Sequence, residues 1–191
     1  RNLRYELSER MNYRGEILEE LKDEEILTLI EELKKSHAEA VAVLFLNAYL
    51  NPENEARVKE LIETHLPGIY ISTSSEISNQ FREFERLCGT VLNSFVGPEV
   101  KKYLDNLQNT LKQIGIKKVY INHSNGGLMS INEAATYPIK TGLSGPAAGV
   151  IGVQYLMNLI DVKNVITIDD YSFDFSTMEF SIRNKKMELS K

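Results

Sequence analysis

The chemistry this sequence could support sits in four short stretches. After a strand-like run, His123-Ser124-Asn125-Gly126-Gly127 pairs two glycines with a hydroxyl and an amide. Paired glycines let backbone N–H groups approach an anion or a carbonyl without a Cβ in the way, and Ser and Asn add side-chain donors. The same residues also suit a plain turn between two strands. Further on, Thr141-Gly142-Leu143-Ser144-Gly145-Pro146-Ala147-Ala148-Gly149-Val150-Ile151-Gly152 opens a helix. Its N-terminus could offer amides to a phosphate. However, Ala147, Ala148, Gly149 and Gly152 strip one helix face of bulk, and close packing against another helix accounts for more of these residues. The third stretch is Asp169-Asp170 at the end of a buried-type strand. Open α/β sheets hold metal–nucleotide ligands at such strand ends, although a solvated terminus before a turn reads equally simply. The fourth is Arg82-Glu83-Phe84-Glu85-Arg86, whose i,i+3 and i,i+4 charges read as an ordinary charged helix surface.

Other chemistry finds no support. His37, His65 and His123 are scattered without HxxE or HxxxH spacing, so no zinc site is indicated. Cys88, the single cysteine, lies on an apolar helical stripe and reads as a core filler. Neither a G-x-S-x-G elbow nor a G-x-x-x-x-G-K-[ST] loop occurs.

The elements that must position these stretches alternate between strand and helix. Residues 3–18 read weakly as strand and turn around Arg14-Gly15. From Asp23 a helix begins with Asp23, Glu24 and Glu25 where the dipole favours negative charge. Its apolar face is Ile26, Leu29, Ile30 and Leu33. The run 40–46 predicts a strand covered on both faces. Asn51-Pro52-Glu53 predicts a helix start, with Val58, Leu61, Ile62 and His65 on one face. Residues 69–72 predict another strand. A helical region over 79–114 follows, with Phe81, Phe84, Cys88, Val91, Leu92 and Phe95 on its core face, and Gly97-Pro98 predicts a break there. Gly115 is the expected left-handed cap, and 118–122 the next strand. A helix over 145–159 and a strand over 165–168 close the pattern, with 173–182 as a hairpin partner and 183–186 as a candidate turn.

This alternation predicts α/β architecture. Net charge is −5, without a polybasic run, which argues against nucleic-acid and membrane-surface binding. One cysteine rules out a disulfide framework and suits a reducing, cytoplasmic compartment. The apolar run 40–50 is too short to span a membrane. The chain begins without methionine and ends just after a strand-like run, which reads as a segment of a larger protein.

Together the segments resemble the A-type (N-methylhydantoinase A-like) subunit of the hydantoinase/oxoprolinase family. The resemblance is carried by Ala42-Val43-Leu44-Phe45-Leu46-Asn47-Ala48-Tyr49-Leu50-Asn51-Pro52-Glu53-Asn54-Glu55, Ser74-Ser75-Glu76-Ile77, Arg82 to Arg86, Thr90-Val91-Leu92-Asn93-Ser94, Ser124 to Gly127 and Leu143 to Val150. It implies a mixed sheet flanked by helices, part of an actin-like (ribonuclease H-like) ATPase fold. Residues 1–144 would end the first lobe, with a helical insertion at about 79–114, and 145–191 would form the connecting helix and the start of the second lobe. It also implies ATP and Mg as cofactors, a cyclic amide or ketone as substrate, and a B-type partner subunit. In such chemistry, phosphorylating an amide oxygen turns a poor electrophile into a good one. By the same resemblance Ser124, Asn125, Gly126 and Gly127 would line the cleft, and Asp169 would face the metal or the attacking water. The family's second phosphate loop reads D-x-G-G-T-x-T-D. Here Asp169 is in place, but Tyr171 and Ser172 stand where the glycines belong. The chain is therefore expected to be one of two things, with an unrelated α/β binding domain as a third reading should the connecting helix be missing. One is a segment of an ATP-dependent hydrolase that opens hydantoin- or 5-oxoproline-type cyclic amides. The other is a non-catalytic scaffold for a B-type partner.

Overall fold

A computed structural model describes residues 3–159 and the strands found at 165–168, 171–174, 179–182 and 185–186. The chain divides into two compact units: Arg1–Ile121 with Met129–Gly142, and Asn122–Leu128 with Leu143–Lys191.

The first unit opens with a hairpin, β1 (Arg10–Met11) against β2 (Ile17–Glu19), antiparallel. Asn12 shapes its turn, because its Oδ1 accepts from the N–H groups of Arg14 (2.8 Å) and Glu16 (3.0 Å). A β-α-β unit follows: α1 (Asp23–Ser36), β3 (Ala40–Val43), α2 (Glu53–His65) and β4 (Tyr70–Thr73). β3 and β4 run parallel, with Ala40 opposite Tyr70. The predicted faces close over this pair in a core of Ile26, Ile30, Leu33, Val43, Val58 and Ile62. Each such burial stabilises by about 1.5–3 kcal/mol. Arg57 on α2 grips Asp23 at the start of α1 through both carboxylate oxygens (3.0 and 2.5 Å) and holds that carboxyl below its usual range.

Two expectations change here. β3 stops at Val43 rather than residue 46, and Ala42 and Leu46 are exposed, so the strand is not covered on both faces. The break at Gly97-Pro98 does not occur either. After the short α3 (Ser74–Ile77), one helix, α4 (Glu83–Gln113), runs 31 residues with Pro98 inside it. Gly97 is a contact residue rather than a breaker. A Cβ there would collide with the ring of Tyr70, so the glycine admits β4's aromatic side chain against the helix.

α4 also inverts the predicted pattern of burial. Its buried residues are Arg86, Thr90, Asn93, Ser94, Gly97 and Leu104, whereas Phe84, Cys88, Val91, Leu92 and Phe95, together with Phe81 just before the helix, are exposed. Hydrogen bonds explain why polar groups lie inside. Asn93 Nδ2 donates to Ser72 Oγ (2.9 Å) and its Oδ1 accepts from the N–H of Ile139 (3.2 Å). Ser94 donates to the Val41 carbonyl (3.1 Å). The Tyr70 hydroxyl donates to the Thr136 carbonyl at 2.6 Å. Beyond Pro98 the helix packs Leu104 with Met129, Ile131, Ala134 and Ala135. The last of these residues come from β6 (Leu128–Ser130), which pairs with β5 (Tyr120–Asn122), and from α5 (Ile131–Thr136), before a 3-10 turn at Pro138–Thr141.

The second unit holds α6 (Ser144–Leu159) and an antiparallel sheet in the order β10-β9-β8-β7, from β7 (Val165–Ile168), β8 (Tyr171–Asp174), β9 (Glu179–Ile182) and β10 (Lys185–Lys186). Lys185 and Lys186 therefore belong to a strand rather than to the predicted turn. The α/β class is as expected, but parallel pairing is confined to β3–β4 and the rest of the strands form separate antiparallel or two-stranded sheets among the described residues. No described helix is long and apolar enough to cross a membrane.

Gly97→Ala should cost about 1–3 kcal/mol, since the Tyr70 ring must move, and urea unfolding midpoints would measure it. Burial raises the Tyr70 phenol from 10.0 to about 12. The contribution of the neutral phenol is therefore whole below pH 10 and lost as pH rises through 12. Stability measured between these limits should fall with pH in the native chain and show a shallower slope in Tyr70→Phe.

Candidate functional site

The densest polar chemistry gathers at the carboxyl ends of β3 and β4, the end at which open α/β sheets present groups to ligands. Glu55, in the first turn of α2, is fully buried. Its Oε1 accepts from the Phe45 N–H (3.0 Å) and the Ser74 hydroxyl (2.5 Å), and its Oε2 from the Ser75 N–H (2.8 Å) and hydroxyl (2.7 Å). Phe45 follows β3, and Ser74 and Ser75 open α3 after β4. One carboxylate thus clasps both strand ends and caps α3.

Arg86 approaches the same place from α4. The charged cluster 82–86 was expected to be a helix surface, but Arg86 is only 1% exposed. Its Nη2 donates to the Phe45 carbonyl at 2.8 Å, and its guanidinium lies 5.5 Å from the centre of the Tyr49 ring. Tyr49 in turn meets Phe81 edge to face at 6.0 Å. Glu83 lies 3.9 Å from Nη2, while Nε and Nη1 have no acceptor among the described residues. Arg82 remains outside, with an exposed ion pair to Glu85 at 3.4 Å. Three asparagines complete the frame from below. Asn47, Asn51 and Asn54 donate to the Met11 carbonyl (3.0 Å), the Gly15 carbonyl (3.2 Å) and the Glu9 carboxylate (2.8 Å), fastening the first hairpin and the residue before it to the loop after β3 and the start of α2.

Ser124, Asn125, Gly126 and Gly127 form a tight turn in the second unit. The Gly126 N–H donates to the His123 carbonyl (2.9 Å), the Asn125 N–H to His123 Nδ1 (3.1 Å) and the Gly127 N–H to Asn125 Oδ1 (3.1 Å). Three amides are thereby used within the turn, which leaves the exposed Ser124 and Asn125 side chains as its outward chemistry. Gly126 is needed twice over: its φ is +87°, and a Cβ would run into Ile151 of α6. Asp169 lies outside the described residues. The positions after it are described as strand: Tyr171 stands opposite Ile168 and Ser172 opposite Thr167 in the β7–β8 ladder. On α6, nothing among the described residues lies within 4 Å of a Cβ placed at Gly145, Gly149 or Gly152.

Sequence reasoning missed Glu55 and Asn93 and misplaced Arg86. A signal was present. Glu55 shares one helical face with Val58 and Ile62, at i+3 and i+7, and Arg86 shares one with Thr90, Asn93 and Gly97.

Comparison with known proteins gives two family profiles. "Hydantoinase/oxoprolinase N-terminal region" matches residues 1–66, and "Hydantoinase/oxoprolinase" matches residues 86–173. An uncharacterized protein of Methanocaldococcus jannaschii is 36% identical over 167 residues, covering 87% of this chain and 25% of that protein. The caprolactamase subunit alpha of Pseudomonas jessenii is 28% identical over 183 residues, 92% of this chain and 26% of its own length. Among solved structures, the ATP-dependent caprolactamase of P. jessenii aligns with a TM-score of 0.72 at 20% identity, over 93% of this chain and 26% of that one. Nucleotide-free acetone carboxylase, from work on ATP-dependent acetone carboxylation, aligns at 0.68 and 24%, over 92% and 25%. The chain thus spans about a quarter of the length of these proteins.

Glu55 and Arg86 should respond differently to substitution. Glu55→Gln puts an amide donor against N–H and O–H donors and should cost about 2–4 kcal/mol. Arg86→Met removes a buried charge that has one good hydrogen bond and should cost under about 1 kcal/mol or stabilise. Paired urea titrations check the ranking, and equal losses would refute it.

Proposed function

The chain belongs to the hydantoinase/oxoprolinase family and shares the actin-like ATPase fold of its relatives, and from that premise we propose that it is one segment of an ATP-dependent hydrolase that opens cyclic amides of the hydantoin or 5-oxoproline type. One observation carries this reading. The stretches that resemble the family, 42–55, 74–77, 82–86 and 90–94, meet in a single hydrogen-bonded frame at the carboxyl ends of β3 and β4. A relative named for caprolactam, itself a cyclic amide, supports the substrate class. In this reading residues 1–144 end the first lobe and 145–191 begin the second. The side chains of Ser124 and Asn125 face the ligand, with Gly126 and Gly127 holding the turn that presents them. Asp169 faces the metal or the attacking water, ATP and Mg are the cofactors, and the compartment is the reducing cytoplasm.

Tyr171 and Ser172 do not fit a glycine phosphate loop. Both carry a Cβ, and both sit in the β7–β8 ladder. The same observation favours a second reading, in which this member is a scaffold for a B-type partner subunit. The subunit name of the P. jessenii relative is in keeping with such a partner.

Calorimetric titration of Mg-ATP into this chain, with Asp169→Asn alongside, separates the two. Saturable binding that weakens at least about tenfold in the variant supports the hydrolase reading. No binding here, together with no ATP turnover on hydantoin or 5-oxoproline by a family-length protein carrying the segment, would leave the scaffold.

A further inference from the structure

We propose that the outward stripe of α4 is the docking surface for an amphipathic helix supplied, within one polypeptide, by the three quarters of the family architecture that these residues do not cover. The proposal rests on the family membership above, but on neither functional reading. Phe84, Cys88, Val91 and Phe95 recur at i, i+4, i+7 and i+11, the seam by which one helix receives another. The stripe is open: Phe84 is 75% exposed and Phe95 81%, with Leu87, Val91 and Leu92 between 42% and 50%. Single exposed apolar residues are ordinary, but an aligned row of them marks a contact. The opposite face of α4 is already occupied by its hydrogen-bonded polar residues, so rotating the helix cannot hide the stripe.

Length chooses the occupant. The seam covers three turns, about 16 Å. It could bury on the order of 400–500 Å² a side, short of the roughly 800 Å² that a free, stable complex buries on each partner. Such a seam suits a helix tethered in the same chain, whose effective concentration replaces missing area. Relatives that match 87–92% of this chain place the match within polypeptides about four times longer. Charges of both signs stand at each end of the stripe, Arg82 with Glu85 at one and Glu99 with Lys101 and Lys102 at the other, so the contact is carried by the apolar row itself.

Cys88 is the chain's only cysteine and lies exposed on the stripe, so it reports its own cover. Maleimide labelling with peptide mass mapping is to be run on this chain and on a chimera in which it replaces its counterpart in the M. jannaschii relative. Cys88 should label at the rate of a free thiol in the chain alone, at least tenfold more slowly in the chimera, and quickly again in a Phe84→Lys/Phe95→Lys chimera. Hydroxyl-radical footprinting of the M. jannaschii relative at the positions aligned with 84, 91 and 95 gives the same reading without a chimera, and protection is expected. Free labelling in a folded chimera, or unprotected positions in the relative, would overturn the proposal. So would a concentration-dependent dimer of this chain, seen by light scattering and abolished by the double substitution, which would assign the stripe to a second copy.

Discussion

The fold of the first unit depends on one buried carboxylate. An ionised group is held away from water only when hydrogen bonds replace its hydration. Glu55 has four donors, taken from the chain just after β3 and from the start of α3. Each of those donors is itself a group that folding would otherwise strand: the Phe45 and Ser75 N–H groups and two hydroxyls. The clasp therefore satisfies both sides at once. It fixes where the two parallel strands end, where α3 begins, and from which side α4 can return across them.

The composition of α4 is a consequence of that frame. A polar helix face meets the strand ends because the strand ends are polar. Ser72, the Val41 and Phe45 carbonyls and the Ile139 N–H all require partners, and Asn93, Ser94 and Arg86 supply them. Apolar residues at 93 and 94 would leave their partners unpaired at about 1–3 kcal/mol each, whereas at 86 the same loss is offset by no longer burying a charge. The helix can pass Pro98 unbroken because packing decides the matter: Gly97 lets Tyr70 lie against the backbone, and Leu104 continues into the second cluster of the unit.

The same constraint separates the parts of the fold that were legible in the sequence from those that were not. α1 and α2 were legible, since their apolar faces point into a core made largely by themselves and β3. The glycine turn at 126 and the helix beginning at Ser144 were legible as local chemistry. α4 was read inside out, because periodicity identifies an apolar face without saying whether the partner of that face is among the residues at hand. Glu55 and Asn93 were invisible for the complementary reason. A buried polar side chain is specified by donors and acceptors 20 or more residues away, such as Ser75 and Ile139, and no local pattern announces them. Of the candidate site, the Ser-Asn-Gly-Gly turn was found as a turn, yet its amides proved to be used internally, a matter of hydrogen-bond geometry that residue types do not encode.

The residues that carry the family resemblance are, in this light, chiefly the ones that build the frame. Asn47, Asn51 and Asn54 fasten the first hairpin, Glu55 and the two serines join the strand ends, and Arg86 and Asn93 seat α4. None of these ties passes through the β7–β8 ladder, where Tyr171 and Ser172 replace the expected glycines. The frame and the ladder are thus written in different residues: Glu55, Arg86 and Asn93 tie the first unit together, and Ile168, Tyr171 and their neighbours pair within the second.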